Sequence, residues 1–128
     1  MDERKGQGDD AIARILIVDD EPDIRFMMRL IFESAGYKVT EARHGVAGLK
    51  SVKAGHPDQV TTDVMMPTMD GLEFIERLRS DPETAGIPIL VVSGNSELAS
   101  AADTRIGKPF LAQDLLSAAA LLIGEDRG

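Results

Sequence analysis

Asp19-Asp20, Asp63, Ser93 and Lys108-Pro109 each follow an apolar or β-prone run, or lie within a few residues of one, so strands can deliver all of them to a common edge. Clustered carboxylates attract a hard divalent cation, a lysine offsets negative charge, and a hydroxyl can hydrogen-bond an anion's oxygen. Together these are the parts of a magnesium-dependent phosphoryl-acceptor site. Each part alone has an ordinary explanation: an aspartate after a strand is usually a cap or turn former, and a single lysine is usually solvated. A purely structural role does not require Asp19, Asp20, Asp63 and Lys108 all at strand ends.

The elements that must position them can be read from hydrophobic periodicity. Ile15 to Val18 reads as a buried strand, and Pro22 suits the first turn of a helix whose apolar face is Ile24, Met27, Met28 and Ile31, with Gly36 as its stop. Tyr37 to Ala42 reads as a second strand, Val46 to Ala54 as a second helix closed by Gly55, and Gln59 to Thr62 as a third strand. A third helix carries Leu72, Phe74, Ile75 and Leu78, Ile87 to Val92 is a fourth strand, and Leu111 to Ile123 is the last helix. Alternation of strands and helices predicts right-handed crossovers and an α/β fold with a mostly parallel sheet. In a domain this small, these four strands and a fifth adjoining the segment between Ser93 and Lys108 fit the flavodoxin-like doubly wound order 2-1-3-4-5, whose crevice lies at the carboxyl ends where the first and third strands part. Asp19, Asp20 and Asp63 would sit there. Their mutual repulsion would raise carboxylate pKa values unless a cation compensates, and Mg2+ suits hard oxygen ligands.

Composition narrows the function classes. With 128 residues and 43% hydrophobic content, the chain fits one domain with one core, read here as residues 13–123 between an arm (1–12) and a tail (124–128). A formal charge of −8 argues against a nucleic-acid-binding surface. The absence of cysteine excludes disulfides and thiolate metal sites and suits a cytoplasmic protein. No apolar run is long enough to span a bilayer. His44 and His56 have no second His or Cys at ligand spacing and read as loop or helix-edge residues; the methionines read as packing.

In this order, with the run Asp63-Val64-Met65-Met66-Pro67-Thr68-Met69-Asp70-Gly71, the chain resembles the receiver domain of bacterial two-component response regulators. The resemblance implies that Asp63 is the phosphoryl acceptor, that Asp20 and Asp63 bind Mg2+ directly and Asp19 through water, and that the backbone carbonyl of Met65 completes the protein ligands. It further implies that Lys108 and Ser93 contact the phosphoryl oxygens and that the Lys108-Pro109 bond is cis. The expected partner is a histidine kinase or histidine phosphotransfer protein, with no membrane involvement and no turnover chemistry.

Three features depart from the family pattern. Lys108 follows Ser93 by 15 positions, shorter than usual by roughly two helical turns, so the fourth helix is expected to be short or absent. Arg105 stands where the family typically has Tyr or Phe, and a charged side chain is poorly suited to the pocket that the aromatic enters. The third strand carries Gln59, Thr61 and Thr62 where aliphatics are usual, which would weaken the core locally; alternatively, Thr61 and Thr62 would hydrogen-bond near the site. The leading expectation is a stand-alone receiver that signals through protein contact. The alternative is a degenerate receiver acting as phosphate sink or scaffold without the usual conformational switch. An aspartate-nucleophile phosphatase would need an Asp at position 65, where this chain has Met.

Overall fold

A computed structural model describes residues 13–63, 71–94 and 102–127. Five parallel strands form one sheet in the order β2-β1-β3-β4-β5: β1 (Arg14–Val18), β2 (Lys38–Ala42), β3 (Gln59–Thr62), β4 (Ile89–Val92) and β5 (Thr104–Ile106). Four helices lie among the described residues, α1 (Pro22–Ser34), α2 (Gly45–Gly55), α3 (Gly71–Ser80) and α4 (Ala112–Arg127). The predicted α/β fold and strand order are both present. The expectation of a shortened helix between Ser93 and β5 falls largely on residues 95–101, outside the described ones.

The apolar run of β1 is continuous because both faces of the strand are covered. Leu16 and Val18 point into a core with Val52 of α2 and Phe74, Ile75 and Leu78 of α3. Ile15 and Ile17 point the other way, into a core with Met28 and Phe32 of α1 and Leu115 and Ala119 of α4. At Gly48 a Cβ would come within 3.0 Å of Phe74 and 3.1 Å of Val18, so the missing side chain lets α2 approach the sheet. No helix among the described residues is long and apolar enough to cross a membrane.

Helix ends differ from the sequence expectation for local reasons. His44 caps α2 by accepting the Ala47 N–H at Nδ1 (3.2 Å), so that helix starts at Gly45. His56 closes it in the left-handed region at φ 45°, and Gly36 turns the chain after α1 at φ 98°. Both histidines therefore serve helix ends, as their positions suggested. The last helix runs past Ile123 to Arg127; Gly124 weakens a helix by about 1 kcal/mol relative to alanine but does not terminate one.

The polar third strand is buried and paired. Gln59 donates to the Ala119 carbonyl of α4 (3.3 Å), and Thr61 donates to the Gln59 side-chain oxygen (2.7 Å). The Thr62 hydroxyl donates to the Asp63 carbonyl (2.9 Å). Among the described residues no buried side-chain polar atom lacks a partner, so β3 meets the condition under which buried polar groups are tolerated.

Candidate phosphoryl-acceptor site

The site forms where β1 and β3, paired in parallel, both end. Val18 lies opposite Thr62, so the next residues, Asp19 and Asp63, leave the sheet side by side. Their backbones continue the ladder: the Asp19 N–H donates to Ala42 O and the Asp63 N–H to Val18 O, both at 3.1 Å. Here β1 feeds α1 on one face while α2 returns to β3 on the other, leaving the crevice characteristic of open α/β sheets at a switch in strand order.

Carboxylate oxygens of Asp19, Asp20 and Asp63 all lie within 4.8 Å of one another. Asp19 and Asp63 are buried and Asp20 is more open to solvent. Three hard oxygen donors, with one flank toward solvent, fit Mg2+, which takes few protein carboxylates and keeps positions for water and substrate oxygens. The expected fourth ligand, the Met65 carbonyl, lies outside the described residues.

Lys108 reaches this cluster from the loop after β5. Its Nζ lies 2.9 Å from Asp63 Oδ2, 3.1 Å from Asp19 Oδ2 and 3.2 Å from Glu21 Oε1. The Lys108-Pro109 bond is cis. Ser93 is buried at the end of β4, where its backbone receives the Lys108 N–H (3.3 Å) and its own N–H donates to Ile106 O (3.1 Å). The hydroxyl-bearing and ammonium-bearing segments are thus tied by backbone hydrogen bonds. Arg105, in β5, is exposed.

Electrostatics follow from this packing. Burial is the main reason that the Asp19 carboxyl is pushed above its ordinary 3.8; repulsion from Asp63, which the sequence suggested as the cause, contributes less. The Glu21 N–H at Asp19 Oδ1 (2.9 Å) and the Lys108 ammonium partly oppose the rise. Burial works against charge on Lys108 as well, yet hydrogen bonds and attraction from Asp63 and Asp19 hold its pKa above the ordinary 10.5.

Two residues that the sequence reading passed over hold the site. Arg25 of α1 donates to the Asp19 carbonyl oxygen (2.8 Å) and to Glu41 of β2 (2.7 Å), and Glu41 also receives Arg29 (2.6 Å). The other is Glu21, the third acceptor of Lys108. Neither carries a sequence signal beyond a charge in or beside the first turn of α1, because its role depends on a neighbour that only folding supplies. Burial disfavours the charge on Glu41, but the two guanidinium groups hold its carboxyl below the ordinary 4.5. A depressed folded pKa adds stability that is complete above the unfolded value and is lost as pH falls through the folded one. Glu41→Gln is therefore expected to lower stability by about 1 kcal/mol at neutral pH, the upper end for exposed ion pairs, since Glu41 is held by two guanidinium groups. That difference should close as the pH drops below 4.5. Chemical denaturation across this range checks the prediction, and a difference independent of pH would contradict it.

Residues 15–120 match the response regulator receiver domain. The chain belongs to that family. Among its relatives, the DNA-binding dual master transcriptional regulator RpaA of Synechocystis sp. is 36% identical over 122 residues, covering 89% of this chain and 51% of that protein. Response regulator MprA of a Mycobacterium species is 37% identical over 111 residues, covering 81% and 47% respectively; the receiver spans about half the length of these curated relatives. Among solved structures, a putative response regulator from Chloroflexus aurantiacus superposes with a TM-score of 0.83 at 30% identity, over 88% of this chain and 98% of that one. The chemotaxis response regulator CheY4 of Vibrio cholerae gives 0.80 at 28% identity, over 88% and 99%. The receiver thus has the family's acidic pocket of Asp19, Asp20 and Asp63, with Lys108 against it.

Proposed function

We propose that this receiver accepts a phosphoryl group on Asp63 from a phosphohistidine of a histidine kinase or histidine phosphotransfer protein, and signals in the cytoplasm through contact with another protein. The observation that carries the reading is the placement of Lys108 Nζ 2.9 Å from Asp63 Oδ2, beside two further carboxylates suited to a cation. An Asp63 oxygen bonds to phosphorus as the phosphorus–nitrogen bond of the donor breaks, and the bonding pair leaves on the imidazole. Lys108 offsets charge on the transferred oxygens and the Ser93 hydroxyl donates to one of them, so catalysis consists of positioning and charge stabilisation. Asp20 and Asp63 directly, Asp19 through water, and the Met65 carbonyl would hold Mg2+, which would supply the remaining positive charge when bound. Arg105, exposed on β5, favours a second reading for output alone, in which the phosphorylated receiver serves as phosphate sink or scaffold.

The test is to incubate the protein with phosphoramidate and follow intact mass. One phosphoryl group per chain is expected with Mg2+, and none once the metal is chelated. A protein that stays unlabelled in Mg2+ overturns the proposal; labelling that survives chelation overturns the metal requirement.

A further inference from the structure

Glu21 immediately follows the Asp19-Asp20 pair and occupies the N-cap of α1. A capping acid would ordinarily accept an N–H from the helix's first turn, but this side chain accepts none. The backbone of Glu21 is committed elsewhere, its carbonyl receiving the Arg25 N–H (3.0 Å) and its own N–H donating to Asp19 Oδ1 (2.9 Å). The carboxylate turns to Lys108 instead, at 3.2 Å.

A lysine ammonium has three N–H donors, and Asp63, Asp19 and Glu21 supply three carboxylate oxygens around it. A phosphoryl oxygen that takes a hydrogen bond from Lys108 must displace one of them. Asp19 and Asp63 are buried, so water cannot take the place of the ammonium at either. Glu21 has the longest contact and a side chain 59% exposed, so water can replace what it gives up.

We infer that Glu21 is a specificity-determining residue for the phosphoryl donor: it occupies the third donor of Lys108 until a phosphoryl oxygen replaces it, and its negative charge at the cleft mouth disfavours dianionic donors. The inference rests on the phosphoryl-acceptor reading above. With acetyl phosphate, an Asp63 oxygen bonds to phosphorus while the bond to the acetate oxygen breaks, and the electron pair leaves on acetate. With phosphoramidate, the phosphorus–nitrogen bond breaks and the already protonated nitrogen leaves as ammonia. Both donors give the same acyl phosphate, but the protonated nitrogen of phosphoramidate offsets part of its charge.

The experiment compares initial labelling rates of the wild type, Glu21→Gln and Glu21→Lys with each donor, in saturating Mg2+ and at low and high salt. At low salt Glu21→Gln should raise the acetyl phosphate rate about three- to five-fold, the scale of one unit charge several ångströms away in a mostly aqueous cleft. Glu21→Lys should raise it further. The phosphoramidate rate should change less, so the ratio of the two rates climbs, and the climb should fade towards about 1 M salt. A merely structural role for Glu21 would move both donors together. An unchanged ratio, or one insensitive to salt, overturns the inference while labelling itself leaves the acceptor reading standing. No labelling of any of the three proteins by either donor overturns both.

Discussion

Lys108→Met is expected to lower the stability of the magnesium-free protein by about 3 kcal/mol at neutral pH, the low end of the penalty for removing one partner of a buried ion pair. For a chain of this size that lowers Tm by roughly 10 °C. The size of the effect follows from what the ammonium leaves behind: Asp19 has no exposed side-chain surface and Asp63 only 8%. The pH dependence has a definite sign. The folded pKa of Lys108 is raised above 10.5, so its contribution is complete below that value and lost only as pH rises through the folded one. Asp19 works in the opposite sense: an acid with a raised folded pKa penalises folding when ionised, and the penalty disappears as it protonates. The gap between variant and wild type should therefore be level from neutral pH to about 10, narrow in acid, and shrink when Mg2+ supplies the missing charge. Urea titrations across pH, with and without Mg2+, measure all three. A gap well below 1 kcal/mol, or one that Mg2+ leaves unchanged, would count against the site as described.

Asp63→Asn should leave a folded protein that no longer takes up a phosphoryl group, with labelling by phosphoramidate in Mg2+ falling at least about a thousand-fold, because an amide oxygen is a far weaker nucleophile than a carboxylate. The substitution preserves shape at a position whose backbone N–H is held by Val18 O, so thermal melts and circular dichroism should show a cooperative native fold. Mass spectrometry of intact protein gives the yield, and peptide mapping of the wild type should place the group on Asp63. Full labelling of the Asn variant would assign the acceptor to another residue.

Asp19 and Asp63 also show how far local sequence reaches. The run before Asp19 and the β-branched segment before Asp63 are visible as strands, and strand alternation implies a parallel sheet, so the meeting of the two aspartates follows from the sequence. Gln59 and Thr61 could not be read in that way. Polarity in a central strand points to a local weakness of the core or, at Thr61 and Thr62, to hydrogen bonds near the site. In the fold, Gln59 and Thr61 form a buried hydrogen-bonded link to α4 at Ala119, and Thr62 alone bonds at the site, to the Asp63 carbonyl. The deciding partner of Gln59 is remote in the chain, and no periodicity reports it. His44 and His56 were legible in kind, as edge residues, because capping is a local property of a helix end.

Sequence by itself determined the family, the strand order and the set of groups that could handle a phosphoryl transfer, because each rests on short-range features: apolar runs, turn residues, and acids or a lysine next to them. Tertiary structure decided how those groups are charged and held. It buried Asp19 enough to raise its pKa, and surrounded Lys108 with three carboxylates. It also bound Arg25 to the backbone carbonyl of Asp19, with Glu41 holding the Arg25 guanidinium, and turned Glu21 away from its helix toward the lysine. Burial and charge–charge contact depend on distances between segments remote in the chain, and those distances exist only once the sheet has closed the strands' carboxyl ends around one crevice.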